Sequence, residues 1–120
     1  MEFNQNGDNM EIVTTQYKHC DVLKVTGRVD SATSPRLAEE LSEIHESGRY
    51  KVVMDFSDLE FISSAGMRVL ISSLKSSRRY NRGDLVLAGL PENILSVFNL
   101  AGFDNVFKIF DDVVSAVGSF

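Results

Sequence analysis

Apolar positions along the chain follow two rhythms. Met10 to Lys18 carries β-branched residues at Ile12, Val13, Thr14 and Thr15 and predicts a strand. Val22 to Thr26, with Val22, Leu23 and Val25 apolar, predicts a second, and the short His19-Cys20-Asp21 connection makes the two a hairpin. Val52 to Phe56 and Leu85 to Ala88 are nearly continuous apolar runs, the pattern of strands covered on both faces. Val106 to Phe110 predicts a last short strand. The helical period fills the intervals. Leu37, Leu41 and Ile44 follow the start signal Thr33-Ser34-Pro35, with hydroxyl caps and proline in the first turn, and Gly48 stops that helix. Met67, Leu70, Ile71 and Leu74 line one face of a helix from about Ser64 to Tyr80. Ile94, Leu95 and Phe98 turn inward after Pro91, with Gly102 at the end. Val113, Val114 and Val117 follow Asp111, read as a cap. Residues 57–63 read as a loop, and Gly27 closes the second strand.

After the opening hairpin, strands and helices alternate. Right-handed crossovers make the later strands parallel. The expected fold class is therefore α/β: one domain over residues 10–120, a mixed sheet of about five strands with about four helices packed against it. Residues 1–9 are polar and read as a flexible leader.

Composition narrows the function classes. The chain has 120 residues and 43% hydrophobic positions, enough for one modest core without metals or disulfides. Its 17 acidic and 12 basic residues give a net charge of -5, which argues against nucleic acid as a partner. No apolar run approaches the roughly 20 residues of a membrane helix, and no apolar signal segment opens the chain. A cytoplasmic protein, monomeric by itself, is the expectation. The single cysteine, Cys20, forms no internal disulfide, and with His19 it reads as incidental turn chemistry.

Candidate chemistry gathers where the third strand runs into the long helix, at Ser63-Ser64-Ala65-Gly66. Serine hydrolysis does not fit: the flanking glycines of a nucleophile elbow are incomplete, and neither His19 nor His45 is placed as a base. No phosphate-binding glycine loop occurs. Asp55, Asp58 and Glu60 form an acidic run that reads as a solvated loop before a metal site, and no metal or cofactor is expected. The plain reading of the serines is a helix cap. One serine suffices for that, so a second hydroxyl is available beside the positive end of the helix dipole. Gly66 is expensive for a helix and, with Ala65, reads as an uncrowded entrance for a ligand. Lys75, Arg78, Arg79 and Arg82 read as a solvated face complementing the helix C-terminus, with an acidic partner as the alternative. Phe103 and Phe107 read as core.

The stretch Asp55-Phe56-Ser57-Asp58-Leu59-Glu60-Phe61-Ile62-Ser63-Ser64-Ala65-Gly66 resembles the signature of STAS domains, specifically the bacterial anti-sigma factor antagonists. Gly27-Arg28-Val29-Asp30, followed by Thr33-Ser34-Pro35-Arg36-Leu37, resembles that family's second motif. The resemblance covers about Met10 to the end of the chain. It implies a switch and not an enzyme. The unphosphorylated antagonist binds an anti-sigma factor with serine kinase activity and frees a sigma factor. Phosphorylation of a serine at this helix start breaks the complex, and a phosphatase restores it. Alignment through Gly66 puts the acceptor at Ser64, with Ser63 as the alternative; Ser63 stands where the family usually has aspartate. Asp30, Asp55, Ser63, Ala65 and Gly66 become the expected partner and kinase recognition residues. The other task the same fold supports is that of an accessory STAS subunit in a transport complex or signalling scaffold without a kinase partner.

Overall fold

A computed structural model describes residues 9–120; the expected leader falls almost wholly outside the described residues. The elements are β1 (Met10–Gln16), β2 (Asp21–Val29), α1 (Ser34–Glu46), β3 (Lys51–Asp55), β4 (Leu59–Ile62), α2 (Ser64–Arg78), β5 (Asp84–Ala88), α3 (Glu92–Leu100), β6 (Ile109–Phe110) and α4 (Val113–Gly118). The sheet order is β1-β2-β3-β5-β6, with β4 pairing with β2. The β1–β2 pair is antiparallel and the other pairs are parallel. This is the mixed α/β sheet expected from the sequence, with one strand more.

That extra strand is β4, in the stretch read as a loop. It is short, and its register against β2 shifts between Gly27 and Arg28. Leu59 and Ile62 are buried while Glu60 and Phe61 between them are exposed, so no alternation announces it. β2 is correspondingly longer than expected. Its first half carries β3, at Asp21↔Val52 through Lys24↔Asp55, and its second half carries β4, at Gly27↔Leu59 through Val29↔Ile62. Gly27 therefore lies inside the strand and does not end it. It adopts φ +97°, and a Cβ there would stand 1.9 Å from the Asn9 carbonyl oxygen, a distance no side chain tolerates.

One face of the sheet packs on α1, α2 and α3 through a core that includes Leu23, Val25, Val29, Leu37, Leu70 and Phe98. The other face is covered in part by α4, over Val22, Val53, Val86 and Ala88. Cys20 belongs to this second cluster. It is a buried core residue, and burial pushes its thiol pKa up. Five further expectations are corrected. Asp112, not Asp111, caps α4, accepting from the Ser115 N–H at 2.8 Å. Val114 on that helix is exposed, and Leu95 on α3 is only half-buried. β6 is two residues long because the chain before it turns in a 3-10 segment, Phe103–Asn105, that sends Phe107 into the main core. α2 ends at Arg78, and Tyr80 and Asn81 follow at positive φ.

Candidate functional site

The site is assembled where β2 and β4 end side by side. The Ser63 N–H donates to the Val29 carbonyl at 2.8 Å, so the strand ladder runs directly into the helix start. Ser63 is extended, with φ -92° and ψ 174°, and its Oγ accepts from the Gly66 N–H at 3.2 Å. That is the geometry of a side-chain N-cap. Ser64 is the first residue of α2 and is exposed. The two hydroxyls thus differ: that of Ser63 is bonded to the helix, and Ser64 is exposed to solvent.

Gly66 corrects the expectation attached to it. It is buried, and a Cβ would stand 2.7 Å from Val29 Cγ1 and 2.8 Å from Ile62 Cγ1. The glycine lets the helix approach the sheet; it does not open the entrance to a ligand. Ala65 lies on the other side of that turn. It lines a groove of about 320 Å³ between α1 and α2, together with Arg68, Val69 and His45.

Asp30 directly follows β2, beside Ser63. Its Oδ1 accepts from the N–H groups of Ala32 and Thr33, both at 3.0 Å. These bonds, that from Thr33 first, hold its carboxyl pKa below the usual aspartate value, aided by the charge of Arg28. The Thr33 hydroxyl accepts from the Asp30 N–H at 2.9 Å and faces the Arg28 carbonyl at the same distance. Thr33 thus ties the turn to β2 and makes no side-chain cap on α1, contrary to its sequence reading. The result is a fixed carboxylate at the level of the Ser63–Ser64 junction.

The remaining acidic residues are not brought together with it. Asp55 pairs opposite Lys24, five residues along β2 from Val29, or roughly 16 Å. Its Oδ1 accepts from the Ser57 N–H and hydroxyl at 3.1 and 2.7 Å. Asp58 forms an ion pair with Lys24 at 3.0 Å. The acidic loop is therefore strung along β2 and does not surround Ser64. The sequence reading also passed over a pair on the open sheet face: the Arg28 guanidinium sits 4.3 Å from the centre of the Phe61 ring. The only signal was the register itself, which sets Arg28 opposite Phe61.

Two of the four basic residues at and beyond the end of α2, Arg78 and Arg82, have structural partners. Arg78 donates to Asp84 at 2.8 Å and to the Val106 carbonyl at 3.2 Å. Arg82 donates to the carbonyls of Ser76 and Arg79, both at 3.0 Å, and lies 3.7 Å from the centre of the Tyr50 ring. These contacts close the C-terminal end of the helix, as the first of the two sequence readings expected.

With this geometry in view, the comparisons with known proteins are direct. A family model described as the STAS domain matches residues 11–116. BtrV of Bordetella bronchiseptica, by its name a candidate anti-sigma factor antagonist, is 35% identical, over 78% of this chain and 80% of that protein. The anti-sigma-B factor antagonist of Listeria monocytogenes is 26% identical, over 84% and 87%. An anti-sigma factor antagonist from Mycobacterium paratuberculosis has the same fold, with a TM-score of 0.83 at 18% identity, over 94% and 95%. The Bacillus cell fate determinant SpoIIAA in its phosphorylated form aligns with a TM-score of 0.72 at 14% identity, over 91% and 98%. The chain belongs to the STAS domain family. Among the described residues, no helix is long and apolar enough to cross a membrane.

Proposed function

We propose that the chain is an anti-sigma factor antagonist, a protein-binding switch set by phosphorylation of Ser64. The observation that carries this reading is the division of labour at the start of α2, where Ser63 caps the helix and Ser64 is exposed. The names of the relatives support the partner class. In the unphosphorylated form the chain binds an anti-sigma factor that is also a serine kinase, and a sigma factor is released. The kinase transfers the γ-phosphoryl group of ATP: Ser64 Oγ forms the new P–O bond, the bond to the β-phosphate oxygen breaks, and the hydroxyl proton passes to a base of the kinase. A phosphatase reverses the modification. These partners place the switch in the cytoplasm.

The electrostatics favour a switch that leaves the fold intact. Phosphoserine adds about -1.5 to -2 charges at neutral pH. At the first position of a helix, that charge meets backbone N–H groups and the positive end of the dipole, worth roughly 0.3–1 kcal/mol. Against a partner that accepts a neutral hydroxyl in a dry contact, the same charge is repulsive. Each tenfold loss of affinity needs only about 1.4 kcal/mol. Asp30 and Ala65 lie on the contact surface and recognise the partner or kinase. Ser63 and Gly66 position the turn, and Asp55 belongs to the periphery of the contact.

The test is incubation with the cognate anti-sigma kinase and ATP, followed by mapping of the phosphate by mass spectrometry. Phosphate is expected on Ser64 and absent in Ser64→Ala. Ser64→Asp is expected to lose anti-sigma factor binding with an unchanged circular dichroism spectrum. Phosphate on Ser63 alone would move the acceptor. Modification of neither serine would overturn the switch and favour an accessory subunit without a kinase partner.

A further inference from the structure

Among the described residues, the outer edge of β1 carries a row of backbone groups with no strand beside it. β1 stands at one end of the sheet. Its pairing with β2 decides which groups face out. The Tyr17 N–H donates to the Cys20 carbonyl and the Arg28 N–H to that of Asn9, and the register between these bonds is constant from Met10↔Gly27 to Gln16↔Asp21. Odd-numbered residues of β1 therefore bond to β2. Met10, Ile12, Thr14 and Gln16 turn their N–H and C=O groups outward. The Met10 carbonyl accepts from Arg36 at 3.0 Å. Among the described residues, the outward groups of Ile12, Thr14 and Gln16 have no strand partner.

Exposed edges of this kind are ordinarily blunted by proline, lysine, a bulge or brevity. The seven residues MEIVTTQ include none of these residues, and the pairing has no bulge. Val13, in the middle, points to the sheet face opposite α1 and is 52% exposed.

We propose that two copies of the chain pair antiparallel through β1, about a two-fold axis at Val13. The register follows from the strand itself. Centring on Val13 is the arrangement that pairs all residues from Met10 to Gln16. It sets even-numbered residues opposite even-numbered ones, so the outward N–H and C=O groups of Ile12 meet those of Thr14 in the other copy. Val13 meets Val13 at the axis, where side chains approach most closely, and Ile12 stands across from Thr14; these are β-branched pairs suited to a sheet. Glu11, the only charged residue of the strand, stands across from Thr15, so no like charges are opposed. A second copy is the occupant because the strand is complementary to itself in length, hydrogen-bond phase and charge. The monomer expected from the sequence becomes the dilute form. β4 and Ser63 lie on the far side of β2 from this edge, so both Ser64 hydroxyls stay accessible and the inference is independent of the phosphorylation reading.

Sedimentation velocity on the full chain, from ~1 µM to ~1 mM, is expected to show a monomer–dimer equilibrium. Val13→Lys and Val13→Glu each oppose like charges at the axis and are expected to weaken the dimer by about tenfold or more. An equimolar mixture of the two sets Lys against Glu and is expected to recover the dimer as a heterodimer. Thr14→Pro removes an outward N–H without touching the β2 ladder and is expected to leave a folded monomer. A wild-type chain that stays monomeric across the range, or a dimer indifferent to both Val13 substitutions, would overturn the proposal. So would a mixture no more associated than its components, since both variants are checked for native circular dichroism beforehand.

Discussion

Replacing Gly66 by alanine sets two effects of known sign against each other. An alanine in the first turn of α2 gains helix propensity worth up to about 1 kcal/mol over glycine. Its methyl group would stand 2.7 Å from Val29 Cγ1, 2.8 Å from Ile62 Cγ1 and 3.3 Å from Ile62 Cδ1, where carbon atoms normally sit about 3.5–4.0 Å apart. Val29 and Ile62 are 0% and 6% exposed, and both are β-branched, so neither swings aside easily. Overpacking of this kind costs about 1–3 kcal/mol. With a central cost of about 2 against a gain of about 1, Gly66→Ala should lose roughly 1 kcal/mol. For a chain of this length that lowers the melting temperature by roughly 4 °C. Urea titration should give a lower midpoint with an unchanged slope. The double variant with Val29→Ala isolates the cause: with Cγ1 gone, the alanine at position 66 should cost less than in the wild-type background. A Gly66→Ala protein as stable as the parent, or more so, would refute the packing argument and restore the open entrance that the sequence suggested.

Three further outcomes follow from the structure. Ser63→Ala removes the acceptor for the Gly66 N–H and should lower stability by about 1 kcal/mol in urea titration. Ser64→Ala removes an exposed hydroxyl and should shift stability by less than about 0.5 kcal/mol. Stability should also depend on pH through His45, which stacks on Tyr50 at 5.3 Å and lies 3.0 Å from the Ser77 hydroxyl. Burial first, and the charge of Arg82 second, hold its pKa below the ordinary 6.5. The unfolded chain therefore takes up this proton at a higher pH than the folded chain. The His45 contribution is full above the unfolded value and falls as the pH drops toward the folded one. Urea midpoints should decrease between pH 7 and pH 5, and His45→Gln should flatten that part of the profile.

The sequence by itself determined the order of the main elements and pointed to the candidate site. Period-two and period-3.6 patterns marked the long strands and the helices, because residues on a buried face repeat with the geometry of their own element. Gly48 and Gly102 ended their helices, as read, at φ +87° and +77°. The motif at Ser63–Gly66 was legible because caps and small residues are local chemistry. What only the tertiary structure decided depended on partners distant in the chain. β4 exists because Leu59–Ile62 pairs with the second half of β2, and a four-residue strand interrupted by one register shift carries no period of its own. Cys20 became core because α4, some ninety residues later, closes over it. Gly66 proved to be a packing residue because Val29 arrives from another strand. Asp30 stands beside Ser63 and Asp55 lies farther along β2, since β3 and β4 pair with successive halves of that one long strand. The surroundings of the two serines likewise depend on the fold: the Ser63 hydroxyl caps the helix, and Ser64 is exposed.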